Sequence, residues 1–121
     1  MTHKLPSDYL AQGWCQEAEA CDASGHAVVA EAFTARSWCL HGSRSSARFN
    51  RSITSGESAY LGAWLYSHGY TPSWNDDPFR TQEEAVAVMR EAEAAVLGLS
   101  TGRAVLTLRL EPRPLQQVEP G

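Results

Sequence analysis

A helix-dominated α+β fold is what this 121-residue sequence predicts: three main helices, a short N-terminal helix, and a minor hairpin or C-terminal strand. Three observations predict it. Apolar residues recur at helical spacing in two long segments, Glu57–His68 and Ala85 onward. Thr81-Gln82-Glu83-Glu84 is a capping box, in which Thr81 caps the helix and Glu84 reaches back to it. Period-two alternation is confined to short stretches, beside the Asp22-Ala23-Ser24-Gly25-His26 turn signal and at Leu106, Leu108 and Leu110.

Taken in order, Leu5–Gln12 is a short helix, with Pro6 in its first turn and Gly13 as its stop. Trp14–Cys21 and Ala27–Val29 form a hairpin about the Asp22–His26 turn. Glu31–Gly42 is expected to be helical, with Phe33, Ser37 and Leu40 on one face and Trp38 beside them. Ser43–Gly56 is rich in Ser, Arg and Gly and is expected to be mostly loop, with the preceding helix able to run on to Arg48. Tyr60, Leu61, Trp64 and Leu65 form the stripe of the next helix, which Gly69 ends.

Tyr70–Arg80 is expected to be loop, anchored on the core by Trp74 and Phe79. The helix opening at Thr81 presents Ala85, Val88, Met89, Ala92, Val96 and Leu99, and Gly98 or Gly102 ends it. Its Val88, Met89 and Val96 should pack on Leu61, Trp64 and Leu65. Residues 1–110 are expected to be one domain and residues 111–121, with three prolines, a flexible tail.

Composition narrows the function classes. Hydrophobic residues make up 43% of the chain, enough for one core at this length. The longest apolar runs, such as Ala85–Met89, are far too short to span a bilayer, so no membrane role is expected. Three cysteines and no apolar run after the N-terminus point to reduced thiols in the cytoplasm. A net charge of −4 disfavours whole-surface nucleic-acid binding.

Metal and thiol chemistry find little support. Cys15 and Cys21 are separated by five residues, outside the close pairs of structural zinc sites. Cys39 and His41, two apart on a helix, would not face one another. No local signature marks a Cys/His nucleophile, and no cofactor or metal is expected.

Two segments are candidate binding sites. Trp74, Asn75, Asp76 and Asp77 are explained mainly by turn and cap chemistry, but Asp76 and Asp77 also make a carboxylate pair with His68 as a candidate neighbour. The other is the run Ala32–Gly56, which holds Arg36, Arg44, Arg48 and Arg51 and no acid, against six Lys/Arg and fourteen Asp/Glu elsewhere. Such a run suits a phosphate, a nucleic-acid backbone or an acidic protein surface, or else solvated arginines that pair with the chain's own acid.

The ordered motifs Trp14-Cys15-Gln16, Asp22-Ala23-Ser24-Gly25, Trp38-Cys39 with Gly42, Trp74-Asn75-Asp76 and Arg80-Thr81 resemble the bacterial and phage family known as domain of unknown function 6197. The resemblance spans about residues 9–97. Arg36, where such proteins place an apolar residue, and the Arg- and Ser-rich Ser43–Gly56 stretch depart from it. The resemblance implies a compact helix-rich domain and no catalytic residues.

The preferred functional expectation is therefore a non-enzymatic interaction or inhibitor protein, phage- or mobile-element-derived, that binds a protein partner through Arg36–Arg51. The alternatives are a small enzyme or ligand-binding domain using Trp74–Asp77, and an anion or nucleic-acid binder using the arginines.

Overall fold

In the computed structural model, residues 4–98 are described. The Leu106–Leu110 strand pattern, Leu99, Gly102 and the 111–121 tail lie outside the described residues. The chain runs α1 (Pro6–Gln12), β1 (Ala20–Cys21), β2 (Ala27–Val28), β3 (Ser37–Trp38), α2 (Leu40–Phe49), α3 (Ser55–Ser67), α4 (Pro72–Asn75) and α5 (Gln82–Leu97). This is a helix-dominated α+β fold, as the pattern of stripes and caps predicts.

The helices form because their ends are locally satisfied. In α5, Thr81 Oγ1 accepts from Glu84 N (3.2 Å) while Thr81 N donates to Glu84 Oε1 (2.9 Å). A second capping box opens α3, where Thr54 and Glu57 exchange bonds of 3.0 and 2.8 Å. Gly98 ends α5 in the left-handed conformation that glycine favours.

One apolar core joins the elements. Leu61 and Leu65 of α3, Ala85, Met89 and Ala92 of α5, Leu10 of α1, and Leu40 and Ala47 of α2 are buried together. Trp64, Val88 and Val96 pack at its margin, so α3 meets α5 through the expected stripes. Glu93 is also buried, at 3% exposure, and accepts from Ser7 N (2.8 Å) and Ser7 Oγ (2.7 Å) at the start of α1.

The small sheet has the order β2-β1-β3. Ala20 pairs with Val28 on one side and Trp38 on the other, and Cys21 with Ala27 and Ser37, all antiparallel. Trp14 adds a parallel bridge to Trp38. The hairpin about Asp22–His26 is present, but its arms are only Ala20–Cys21 and Ala27–Val28, and Trp14 bridges Trp38 rather than joining it.

The Glu31–Gly42 helix is not. Ser37 and Trp38 pair with Ala20 and Cys21 instead, so helix begins only after Cys39, whose Sγ accepts from Gly42 N (3.1 Å). The helix then runs to Phe49, one residue past the Arg48 limit allowed for it, and takes up the first half of the Ser43–Gly56 stretch. Its serines hid it: Ser43 Oγ donates to Leu40 O (2.6 Å) and Ser46 Oγ to Ala30 O (2.6 Å), so both are buried without being apolar. Phe33 and Phe79, expected to face the core, are 91% and 90% exposed. Part of the Tyr70–Arg80 loop is the short helix α4, with Thr71 as its cap.

Candidate functional site

The Trp74–Asp77 segment is built around Asn75, which is fully buried. Its Oδ1 accepts from Trp14 Nε1 (2.8 Å) and Leu40 N (2.9 Å). Its Nδ2 donates to Cys15 O (3.1 Å) and Asp76 Oδ1 (3.0 Å). All four hydrogen-bonding positions of the amide are therefore used. Asn75 thus ties α4 to the start of α2 and to the 14–19 segment. Gln16 Nε2 reinforces the tie by donating to the carbonyls of Asn75 (2.9 Å) and Asp77 (2.7 Å).

Asp76 and Asp77 point to different work. Asp76 Oδ1 also accepts from Glu17 N (2.8 Å). That bond holds Glu17 at φ +65°, a left-handed conformation that costs a non-glycine residue about 1–3 kcal/mol. Asp77 Oδ1 accepts from Phe79 N (2.9 Å), and its carboxylate lies 3.8 Å from Arg80. Arg80 stacks 3.8 Å over the Trp74 ring and donates from Nε to Trp74 O (2.9 Å). Trp74 in turn meets Tyr70, and Tyr70 stacks with Trp64. His68 belongs to this aromatic row, stacked 4.0 Å from Trp64 with Nδ1 at 2.8 Å from Trp64 O, and its bonds do not reach the two aspartates.

A cavity of about 380 Å³ lies beside this segment. Glu17, Glu19 and Asp76 line it, together with Cys39, His41 and Arg44 from the first turns of α2. Gly42 lets the two walls close up: a Cβ there would fall 2.0 Å from Glu19 O. Gly62 of α3 makes the seat for Arg44, since a Cβ there would lie 2.9 Å from the guanidinium carbon. Of this lining, Asn75 and Asp76 come from the first marked segment and Arg44 from the second, with Cys39 and His41 in the same acid-free run. Glu17 and Glu19 arrive from elsewhere in the chain, and no local motif announces them.

The four arginines do not form one cluster. Arg44 turns inward, donating from Nη1 to Ser58 O (2.7 Å) and from Nε to His41 Nδ1 (3.1 Å). His41 Nε2 faces Tyr70 O at 2.9 Å, so both ring nitrogens are engaged. Burial, with Arg44 adding to it, holds the His41 imidazole below its ordinary pKa despite the Tyr70 carbonyl. The neutral form protonated on Nε2 satisfies both contacts. Arg36 donates to its neighbouring carbonyls, Phe33 O (2.8 Å) and Ala35 O (2.9 Å). Arg48 pairs with Glu31 at 3.8 Å. Arg51, at φ +64° just beyond α2, is exposed.

Arg36, Arg48 and Arg51 each lie within three residues of an exposed ring in the chain. Ser46 Oγ and the Arg48–Glu31 pair fasten the 29–36 segment along α2. Phe33 stands two residues beyond Glu31, and Phe49, 58% exposed, one beyond Arg48. Val29 in the same segment is also exposed.

Two of the three thiols, Cys15 and Cys39, are disfavoured as thiolates. Burial pushes Cys15 up to about 12, with Cys21 adding to it against a hydrogen bond from Ser37. Burial also raises Cys39, against bonds from the Gly42 and His41 amides. Among the described residues, no group of His, Cys, Asp and Glu is arranged to hold a metal ion, and no helix is long and apolar enough to cross a membrane.

A family model described as a family of unknown function, DUF6197, matches residues 7–95. No curated protein and no solved structure matches the chain.

Proposed function

We propose that this chain, which belongs to the family of unknown function DUF6197, is a non-enzymatic cytoplasmic accessory or inhibitor protein that binds a protein partner. One observation carries this reading. Phe33 and Phe49 are exposed, and each lies within three residues of Arg36, Arg48 or Arg51 in a run of chain without a single acidic residue. Aromatic rings and arginines are the residue types enriched at the centres of protein interfaces. Exposed rings cost solvation, and the contacts among the described residues leave both rings largely open. The partner that fits is a protein surface carrying carboxylates beside apolar side chains, because the arginines would steer it and the rings would bury against it.

The rest of the chain agrees with this choice. Its excess of acid lies outside the segment, so an extended polyanion such as nucleic acid would be repelled on most approaches. Burial raises the Cys15 and Cys39 thiols, and both ring nitrogens of His41, beside Cys39, are engaged by Arg44 and Tyr70, which speaks for packing rather than nucleophilic chemistry.

The test is capture of a partner from host lysate by the intact chain and by two variants. Arg36→Glu/Arg48→Glu/Arg51→Glu reverses the charge, and Phe33→Ser/Phe49→Ser removes the rings. A protein held by the wild type and lost by both variants supports the surface. A partner that both variants retain refutes it. Salt-sensitive binding to nucleic acid that the charge reversal abolishes would replace the protein partner with a polyanion.

A further inference from the structure

We infer that the cavity beside Asp76 is a binding site for a small zwitterion of the α-amino-acid class, with its ammonium among Glu17, Glu19 and Asp76 and its carboxylate toward Arg44. The inference starts from charges that share a cavity without satisfying each other. Asp76 Oδ1 takes bonds from Glu17 N and Asn75 Nδ2, whereas its second oxygen takes none among the described residues. The Glu17 and Glu19 carboxylates have no described hydrogen-bond or ion-pair partner. On the α2 side, Arg44 bonds only to neutral groups: His41 Nδ1, Ser58 O and Ser58 Oγ. Those bonds leave an Nη2 N–H of the guanidinium free. No ion pair joins Arg44 to any of the three acids.

This pattern selects among ligands. A simple anion would meet three carboxylates. A simple cation would leave the half-buried guanidinium without a counter-charge, and burial already disfavours its charged form. A molecule carrying both charges answers both sides. The size fits as well, since about 380 Å³ lies at the small end of ligand sites. Pro72 and Cys39 also line the cavity and offer apolar surface to a short side chain. The walls are held before any ligand arrives, by Asn75, by the close approach at Gly42 and by the Glu17–Asp76 bond.

The site is separate from the proposed partner surface, so the two can fail independently. The experiment is a ¹H–¹⁵N titration of the full chain with glycine, L-alanine and L-glutamine, and with acetate and methylammonium as the two half-molecules. Saturable shifts at the Glu19, Gly42 and Asp76 amides are expected with at least one amino acid, at least about tenfold weaker with either half-molecule. Glu19→Gln and Asp76→Asn should each weaken the amino acid about tenfold, whereas Phe33→Ser/Phe49→Ser should leave it unchanged. Glu19 is exposed and makes no described side-chain bond, so its variant keeps the test valid if Asp76→Asn does not fold. No saturable shift up to about 50 mM of any amino acid would overturn the inference. So would acetate or methylammonium binding as well as the whole zwitterion, or Glu19→Gln binding as tightly as the wild type.

Discussion

The Trp74–Arg80 segment and the Phe33–Arg51 segment are both conspicuous in the sequence, and the fold treats them in opposite ways. In the first, nearly every polar group is taken up internally, although the Phe79 ring beside Arg80 is 90% exposed. Asn75 makes four side-chain bonds, Asp77 caps Phe79, and Arg80 covers Trp74. In the second, Arg44 is drawn inward, while Phe33, Phe49 and Arg51 remain outside. The difference teaches where to look for function. Polar residues that the fold has saturated have little left for a ligand, and exposed rings beside arginines have no folding role to explain them. Asp76 lies between these cases, since one of its oxygens is taken and the other is not.

The sharpest way to break the comparison is to remove the hub of the first segment. Asn75→Ala strands Leu40 N, Trp14 Nε1 and Cys15 O in a buried site, each an unmet hydrogen-bonding group. A loss of about 3 kcal/mol or more is expected in urea unfolding. Asn75→Asp should cost nearly as much, because a carboxylate cannot donate to Cys15 O. If Asn75→Ala melts like the wild type, the segment is not structural and the contrast collapses.

Glu93 tests the same principle on the far side of the core. Glu93→Ala leaves Ser7 N and Ser7 Oγ without their acceptor and should cost about 2 kcal/mol. Its pH signature is more specific. Burial, assisted by Asp8, holds the Glu93 carboxyl above the usual carboxylate range, against the two Ser7 bonds and Arg90. Between the ordinary value and the raised one, the folded chain keeps a proton that the unfolded chain has lost. Stability due to this group is therefore full below the ordinary value, falls as pH rises through that window, and levels off above the raised value. Glu93→Gln should lack this slope, so its stability relative to wild type should improve as pH rises. Parallel pH profiles for the two proteins would show that Glu93 does not titrate in this way.

What was legible in the sequence follows from how local each determinant is. The start of α5 could be read because the Thr81–Glu84 box is complete within four residues. Thr81→Ala should cost about 1 kcal/mol in thermal or urea unfolding, and Thr54→Ala a similar amount at the start of α3. An unchanged melting curve for either would count against its cap. The start of α2 could not be read in the same way. Ser37 and Trp38 fit a helical stripe until Ala20 and Cys21, far back in the chain, pair with them. The cavity was half legible for the same reason: Asp76 sits in a marked turn, whereas Glu17, Glu19 and His41 meet it only through tertiary contacts. Asn75 carried a turn signal, but its long-range bonds to Trp14 and Leu40 had none.

The smallest expected effect on stability is also the one that most sharpens the comparison. Phe33 is 91% exposed and Phe49 58% exposed, so replacing both with serine removes little buried apolar area. Unfolding free energy should change by no more than about 0.5 kcal/mol per site, as for surface positions outside any network. A clear loss would mean that the rings serve the fold, and the second segment would then resemble the first. Unchanged stability with loss of a captured partner would separate the two regions in one protein: one whose side chains hold the chain together, and one whose side chains are exposed for contact with another.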